Sequence, residues 1–174
     1  WALETKLPLL LDADALNLVA TFSKLKDKLK QRVTTTILTP HPAEAARLLG
    51  CSTREVQSDR VRAARELAER YHCDIALKGC GTVVVTVDGD WWVNSTGNPG
   101  MATGGSGDVL TGIILGLLAQ GYAPENAAII GVYIHGKAGD EYANNQSQHS
   151  LIASDLVDNI GSIFNVLEKT KTTK

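Results

Sequence analysis

A start methionine is missing. Met101 is the only methionine among 174 residues, and Trp1 opens the chain. The expectation is a portion of something longer, with structural elements upstream. Cysteine is scarce and odd in number: Cys51, Cys73 and Cys80, with no CxxC spacing. That pattern argues against a disulfide frame and against a zinc site, and suits reduced thiols in a cytoplasmic protein. No secretory signal opens the chain. The longest apolar run, Val109 to Ala119, is broken by Thr111, Gly112 and Gly116 and is too short for a membrane span. Excess charge is also absent: the net charge of −2 gives no sign of a nucleic-acid or polyanion surface. No His/Cys/Asp cluster has metal-ligand spacing. What is present is ordinary for one domain with a substantial core, 44% hydrophobic and 21% charged residues.

Strands and helices alternate along the chain. "PLLLDADALN" predicts a buried strand over Leu9 to Leu11 ending at Asp12. Leu16, Val19, Phe22, Leu25 and Leu29 follow at helical spacing and predict one helix. "TTTILTPHPAEAARLLG" repeats the pattern: a strand to Leu38, a break at "TPHP", a helix over Ala43 to Leu49, and Gly50 as its C-cap. "STRE", Ser52 to Glu55, has capping-box spacing. Val61, Ala64, Leu67, Ala68 and Tyr71 mark a further helix face, and "DIALKG" a third strand. Two β-rich runs flank Asp88-Gly89, a tight hairpin signal. Trp91 and Trp92 alternate on the second run, so one is expected in the core and one outside. A helix is expected from Asp108 to about Gln120, another from Pro124 to about Ala143, and a last one capped by Ser154 and reaching about Leu167. This order implies an α/β fold with a mainly parallel sheet covered on both faces and one antiparallel hairpin. Ligands gather beyond the C-terminal strand ends in such folds, where Asp12, Thr39 to His41 and Lys78 to Gly81 fall.

The chemistry concentrates in "NPGMATGGSGDVLTGIILGLL", Asn98 to Leu118. Gly104, Gly105 and Gly107 place bare backbone at the start of a hydrophobic helix, a natural anion seat. It is not a P-loop, because Asp108 stands where Lys is needed, nor a dinucleotide fingerprint, because Leu110 replaces the third glycine. A carboxylate beside an anion seat makes sense as a base rather than as a phosphate ligand. It takes a proton from an acceptor hydroxyl while the neighbouring N–H groups hold the phosphoryl group under attack. The bland alternative is an ordinary N-cap aspartate.

"GGSGD" resembles the signature of the ribokinase-like superfamily, whose glycine loop forms an anion hole and whose aspartate is the base. "LLLDADALN", "ILTPHPAEAARLLG", "ALKGCGTVV" and "NSTGNPGMATGGSGDVLTGIILGLLAQG" together resemble the NAD(P)H-hydrate dehydratase family, from about Leu9 to Leu156. The resemblance implies residues 1–174 as the C-terminal portion of a ribokinase-like domain, with further βα units and an NAD(P)H-hydrate epimerase domain upstream, and a homo-oligomer. It implies the repair of NADH or NADPH hydrated at C6: a nucleotide phosphorylates the hydroxyl of the S-epimer, and phosphate then leaves. ADP is the expected phosphoryl donor, ATP the less favoured one, with magnesium carried on the nucleotide. Position by position, Asp108 becomes the base, and Gly105, Ser106 and Gly107 the anion hole, Gly107 also lying near the nucleotide phosphate. Lys78, Gly79, Cys80, Gly81 and Thr82 become the nucleotide-binding segment. His41 contacts the hydrated nicotinamide, with Asn17 and Asp12 on the substrate side. Glu44 remains a helix-dipole partner, and Asn98 and Thr103 flank the glycine loop.

The rival within the superfamily is a hydroxyethylthiazole or hydroxymethylpyrimidine kinase, which would yield a stable phosphorylated product. A nucleotide-sensing module without turnover would have no need of a base at Asp108. His135, near Lys137 and Asp140 on a helix, reads as a buried polar contact. The lysines at 24, 26, 28 and 30 read as a solvated helix edge.

Overall fold

The computed structural model describes residues 1–171. Five short strands form one sheet: β1 (Leu9–Leu11), β2 (Thr36–Leu38), β3 (Asp74–Leu77), β4 (Val83–Val85) and β5 (Trp91–Val93). They lie side by side in chain order, β1 to β3 parallel, β4 and β5 antiparallel. The helices are α1 (Ala13–Thr21), α2 (Ser23–Lys30), α3 (Pro42–Leu49), α4 (Thr53–Ser58), α5 (Arg60–Tyr71), α6 (Ser106–Ala119), α7 (Pro124–Asn145) and α8 (Ala153–Lys171).

Two rules place the helices. Strands in simple sequential order need both parallel crossovers on the same side, because such connections are right-handed. So α1 to α5 cover one face. The pleat then divides the strand residues between two cores. Leu11, Leu38, Ile75, Leu77, Val83 and Val85 pack with α1 to α5. Ile37, Ala76 and Val84 point the other way and meet Leu110, Ile114 and Leu117 of α6 and Ala127, Ala128 and Val132 of α7. A third cluster joins α7 to α8 through Ile134, Ala138, Leu156 and Ile163.

Several expectations need correction. The single helix expected through Leu29 is two, α1 and α2, broken at Phe22 in extended backbone (φ −106°, ψ 113°). Steps of three residues drift against the helical turn, which leaves Leu25 about half a turn from Leu16 on a straight helix. The break lets Leu16 and Leu29 reach the same core, while Phe22 stays exposed. The tight hairpin expected at Asp88-Gly89 is present as a three-residue loop: the Gly89 amide donates to the Thr86 carbonyl at 3.0 Å, and the Thr86 amide to the Asp90 carbonyl at 2.9 Å. Gly89 takes the left-handed position of that loop at φ +91°. Neither tryptophan is core: Trp91 and Trp92 are 46% and 40% exposed, because β5 is an edge strand. The Arg65 guanidinium lies 5.8 Å over the Trp91 ring. Ser154 sits inside α8 rather than capping it; the Asp155 carboxylate instead accepts from the Ile152 amide at 2.9 Å. No helix among the described residues is long and apolar enough to cross a membrane.

Candidate active site

The glycine loop meets the sheet at the C-terminal ends of its parallel strands. Here α6 begins two residues earlier than expected: Gly105 is its N-cap, in left-handed backbone at φ +85°, and Asp108 is the third helical residue. The first-turn amides of a helix have no internal acceptor. Ser106 settles its own by donating to the Thr103 carbonyl at 3.3 Å. The amides of Gly107 and Asp108 find no acceptor among the described residues, so they form the free positive end of a helix that runs to Ala119. Asp108 is exposed, and no side chain among the described residues bonds to it.

This loop is seated on α7. His135 lies with Nε2 at 2.9 Å from the Ser106 carbonyl and 3.3 Å from its hydroxyl. Burial holds the imidazole down at about 4, with the nearby Lys78 charge acting in the same direction. His135 is therefore neutral near pH 7, and its Nε2–H donates to Ser106. Asp140 accepts from the Gly97 amide at 3.0 Å, and the Thr96 hydroxyl donates to the Tyr133 carbonyl at 3.2 Å. Bare glycines on α7 permit this approach: a Cβ at Gly136 would collide with Thr96, and one at Gly139 with Met101. Asn98 caps the short turn at Pro99–Met101 by accepting from the Gly100 amide. Thr103 supplies the carbonyl that Ser106 uses.

Opposite Gly107 stands Lys78, at the end of β3. Its ammonium is 3.4 Å from where a Cβ on Gly107 would be, and 2.6 Å from Asp12 Oδ1. Asp12 ends β1, caps α1 by accepting from the Ala13 amide at 2.9 Å, and accepts from the Thr111 hydroxyl of α6 at 3.0 Å. Lys78 and Asp12 thus tie the sheet to the start of α6. The segment after Lys78 turns sharply, with Gly79 at φ +146° and Gly81 at φ +68°. The Thr82 hydroxyl closes the turn on the Gly79 carbonyl at 3.2 Å. From beneath, Arg60 donates to the Leu77 carbonyl at 2.8 Å and, through its other terminal nitrogen, to the Cys80 carbonyl. Burial lowers the Arg60 pKa from its ordinary value.

His41 and Asn17 are held by groups of α1 and α3. His41 is the N-cap of α3: Nδ1 accepts from the Ala43 and Glu44 amides at 3.1 and 3.4 Å. Buried Glu44 returns the bond to the His41 amide at 2.7 Å. Those bonds leave the Nε2 edge of a half-exposed ring, which lies 3.4 Å from Glu44 Oε1. Asn17 Oδ1 accepts from Arg47 at 2.9 Å. No bond joins either residue to the glycine loop among the described residues. Cys80 is exposed. Sequence reasoning passed over Arg60, which reads as a helix-surface residue, and Thr111, hidden in an apolar run. It placed Asp12 on the substrate side and did not anticipate its pairing with Lys78. No group of three or more His, Cys, Asp or Glu side chains could hold a metal among the described residues.

A mixed sheet with three parallel strands, a glycine-capped helix start and an unpaired aspartate in its first turn define a ribokinase-like protein. A ribokinase-like superfamily protein of Enterococcus faecalis shares this fold, with a TM-score of 0.72 and 27% identity over 90% of this chain and 51% of that one. Residues 1–162 match the family model described as NAD(P)H-hydrate dehydratase, and the chain belongs to that family. It is 45% identical to a bifunctional NAD(P)H-hydrate repair enzyme of Moorella thermoacetica, over 97% of this chain and 31% of the relative. It is 48% identical to an ADP-dependent (S)-NAD(P)H-hydrate dehydratase of Neisseria meningitidis, over 78% of this chain and 46% of the relative. The chain therefore spans about a third to a half of the length of these relatives. The Bacillus subtilis ADP/ATP-dependent NAD(P)H-hydrate dehydratase, co-crystallised with ATP and magnesium, superposes with a TM-score of 0.83 at 37% identity, over 94% of this chain and 56% of that one.

Proposed function

We propose that the protein containing this chain dehydrates the S-epimer of hydrated NADH or NADPH, using a nucleotide as phosphoryl donor. One observation carries the chemistry. Asp108 is unpaired and directly follows the free Gly107 amide at the positive end of α6, with the Lys78 ammonium against that glycine. In this reading the terminal phosphoryl group sits on the amides of Gly107 and Asp108 and faces Lys78, where its charge is balanced. Asp108 takes the proton of the C6 hydroxyl as that oxygen attacks phosphorus. The nucleotide leaves with one phosphate fewer, so ADP becomes AMP. The C6–O bond then breaks, phosphate departs in place of hydroxide, and loss of a ring proton restores the double bond. Lys78 through Thr82 hold the nucleotide, and the outer edge of His41, with Asn17 nearby on α1, meets the nicotinamide.

The named relatives support ADP as donor and ATP as a competent substitute. Magnesium enters with the nucleotide phosphates, whose oxygens supply the hard ligands it prefers. A repair-enzyme relative more than three times the length of the matched region supports an epimerase domain elsewhere in the full-length protein. The exposed β5 edge with Trp91 and Trp92 supports assembly into a homo-oligomer. The deciding assay mixes full-length protein with hydrated NADH and ADP or ATP, and follows NADH absorbance and free phosphate together. Return of NADH with equal release of phosphate is the expected result. A stable phosphorylated product with no NADH would instead mark a small-molecule kinase and end this reading.

A further inference from the structure

The Lys78–Thr82 turn is shaped from below by a residue that never reaches the site's surface chemistry. Arg60 is the first residue of α5, a poor place for a cation, because the helix dipole there is positive. Its Nε is buried without a partner among the described residues. An apolar side chain would fill the same space without either cost. What the guanidinium supplies is a rigid fork. One nitrogen takes the Leu77 carbonyl at 2.8 Å and the other takes the Cys80 carbonyl, which spans the turn. Gly79 lies flat against it: a Cβ there would come within 2.9 Å of Nη2. Thr82 occupies the Gly79 carbonyl from the other side. With the carbonyls of residues 77, 79 and 80 all engaged, the amides of Gly79, Cys80 and Gly81 are left without an acceptor among the described residues. Successive free amides alternating with left-handed glycines make an anion-binding concavity.

We propose that Arg60 is a positioning residue for nucleotide binding: it takes up the carbonyls of the Lys78–Thr82 turn and so presets the turn with its amides free for phosphate. This rests on the nucleotide-dependent reading above. Without the fork, the turn must be ordered by the nucleotide itself, and affinity falls by that ordering cost. Lysine keeps the charge but cannot bridge two carbonyls in one plane.

The test uses full-length protein, with ADP binding by calorimetry, steady-state kinetics and thermal melting in parallel. Arg60→Lys should raise the Kd for ADP by about tenfold to a hundredfold. It should leave kcat at saturating nucleotide within about threefold, and leave the KM for the hydrated cofactor unchanged. A merely structural role would lower the melting temperature and the active fraction, with no selective change in nucleotide affinity. If Arg60→Lys does not fold, Arg60→Gln, which keeps a single donor group, decides the matter; Gly79→Ala presses on the same contact from the loop side, with added backbone strain at φ +146°. It should weaken ADP similarly, and the double variant should be weaker than the singles by less than their sum. Unchanged ADP affinity in the folded variants, or equal changes for both substrates, overturns the proposal. If the wild type binds ADP without turning over hydrated NADH, the dehydratase reading fails while the affinity comparison still judges Arg60. If the wild type binds no ADP, both fail.

Discussion

The end of β1 and the start of α6 each bring one aspartate to the candidate site, and the fold treats them in opposite ways. Asp12 is committed: it accepts from the Ala13 amide, the Lys78 ammonium and the Thr111 hydroxyl. Asp108 has only the helix dipole to favour its charge, and it faces solvent. A carboxylate with three of its roughly four lone-pair sites engaged is poorly placed to take a proton and well placed to hold a lysine. A carboxylate without partners costs the fold nothing to use in chemistry. The contrast separates an acid held by the fold from one left free, and supports the base role proposed for Asp108.

The largest effect expected is at Asp108. Asp108→Asn keeps the size and should change stability by no more than about 1 kcal/mol. Loss of a positioned base should slow NADH recovery by on the order of a hundredfold to ten-thousandfold. Affinity for ADP, measured by calorimetry, should hold or improve as a negative charge leaves the phosphate side.

The support beneath α6 has its own signature in acid. Burial holds His135 at about 4 in the folded protein, against 6.5 when exposed. Between those values the unfolded chain binds a proton that the folded one refuses. Stability from this group is complete above pH 6.5 and is lost as pH falls towards 4, by as much as about 3 kcal/mol. His135→Gln can still donate to Ser106 but does not titrate. Denaturant melts of the two proteins across this range should diverge, the variant keeping the flatter profile; parallel profiles would remove the neutral histidine from the account.

Asp12→Asn should cost stability, about 1–3 kcal/mol by denaturation, because Lys78 loses its ionic partner in a largely buried place. Its turnover should fall less than that of Asp108→Asn. If it lost as much rate with no loss of stability, the roles assigned to the two aspartates would have to be exchanged. The smallest effect belongs to Gly104→Ala, whose new methyl meets nothing within 4 Å. Its stability should stay within about 0.5 kcal/mol of the parent. A large loss would mean that Gly104, not only Gly105 and Gly107, needs bare backbone.

The sequence showed the parts of the site that are local. Strand ends, the "TPHP" break and the Ser52–Glu55 capping box each declare themselves within about ten residues and fall where expected; the second capping box, His41 with Glu44, reads in the sequence only as a dipole contact. Two kinds of feature escaped. One is geometry that depends on how a helix is entered: the left-handed Gly105 starts α6 at Ser106, so Asp108 lies in the first turn and is not its cap. The other is pairing across distance. Nothing near Arg60 in the chain says that its fork will find Leu77 and Cys80, and an apolar helix run gives Thr111 no reason to stand out. The tryptophans misled for a related reason, since alternation on a strand says which faces exist, not whether anything covers them.

The tie between Asp12 and Thr111 joins residues 99 positions apart, and the one between Lys78 and Asp12 joins residues 66 apart. Contacts of such span close large loops and come late, after helices and hairpins have formed from near neighbours. A refolding chain should therefore regain its helical signal before it regains any grip on ADP. Stopped-flow circular dichroism beside a fluorescent nucleotide would time the two events. The proposed nucleotide seat is then a gauge of completion: it is present only in molecules whose first strand and sixth helix have already met.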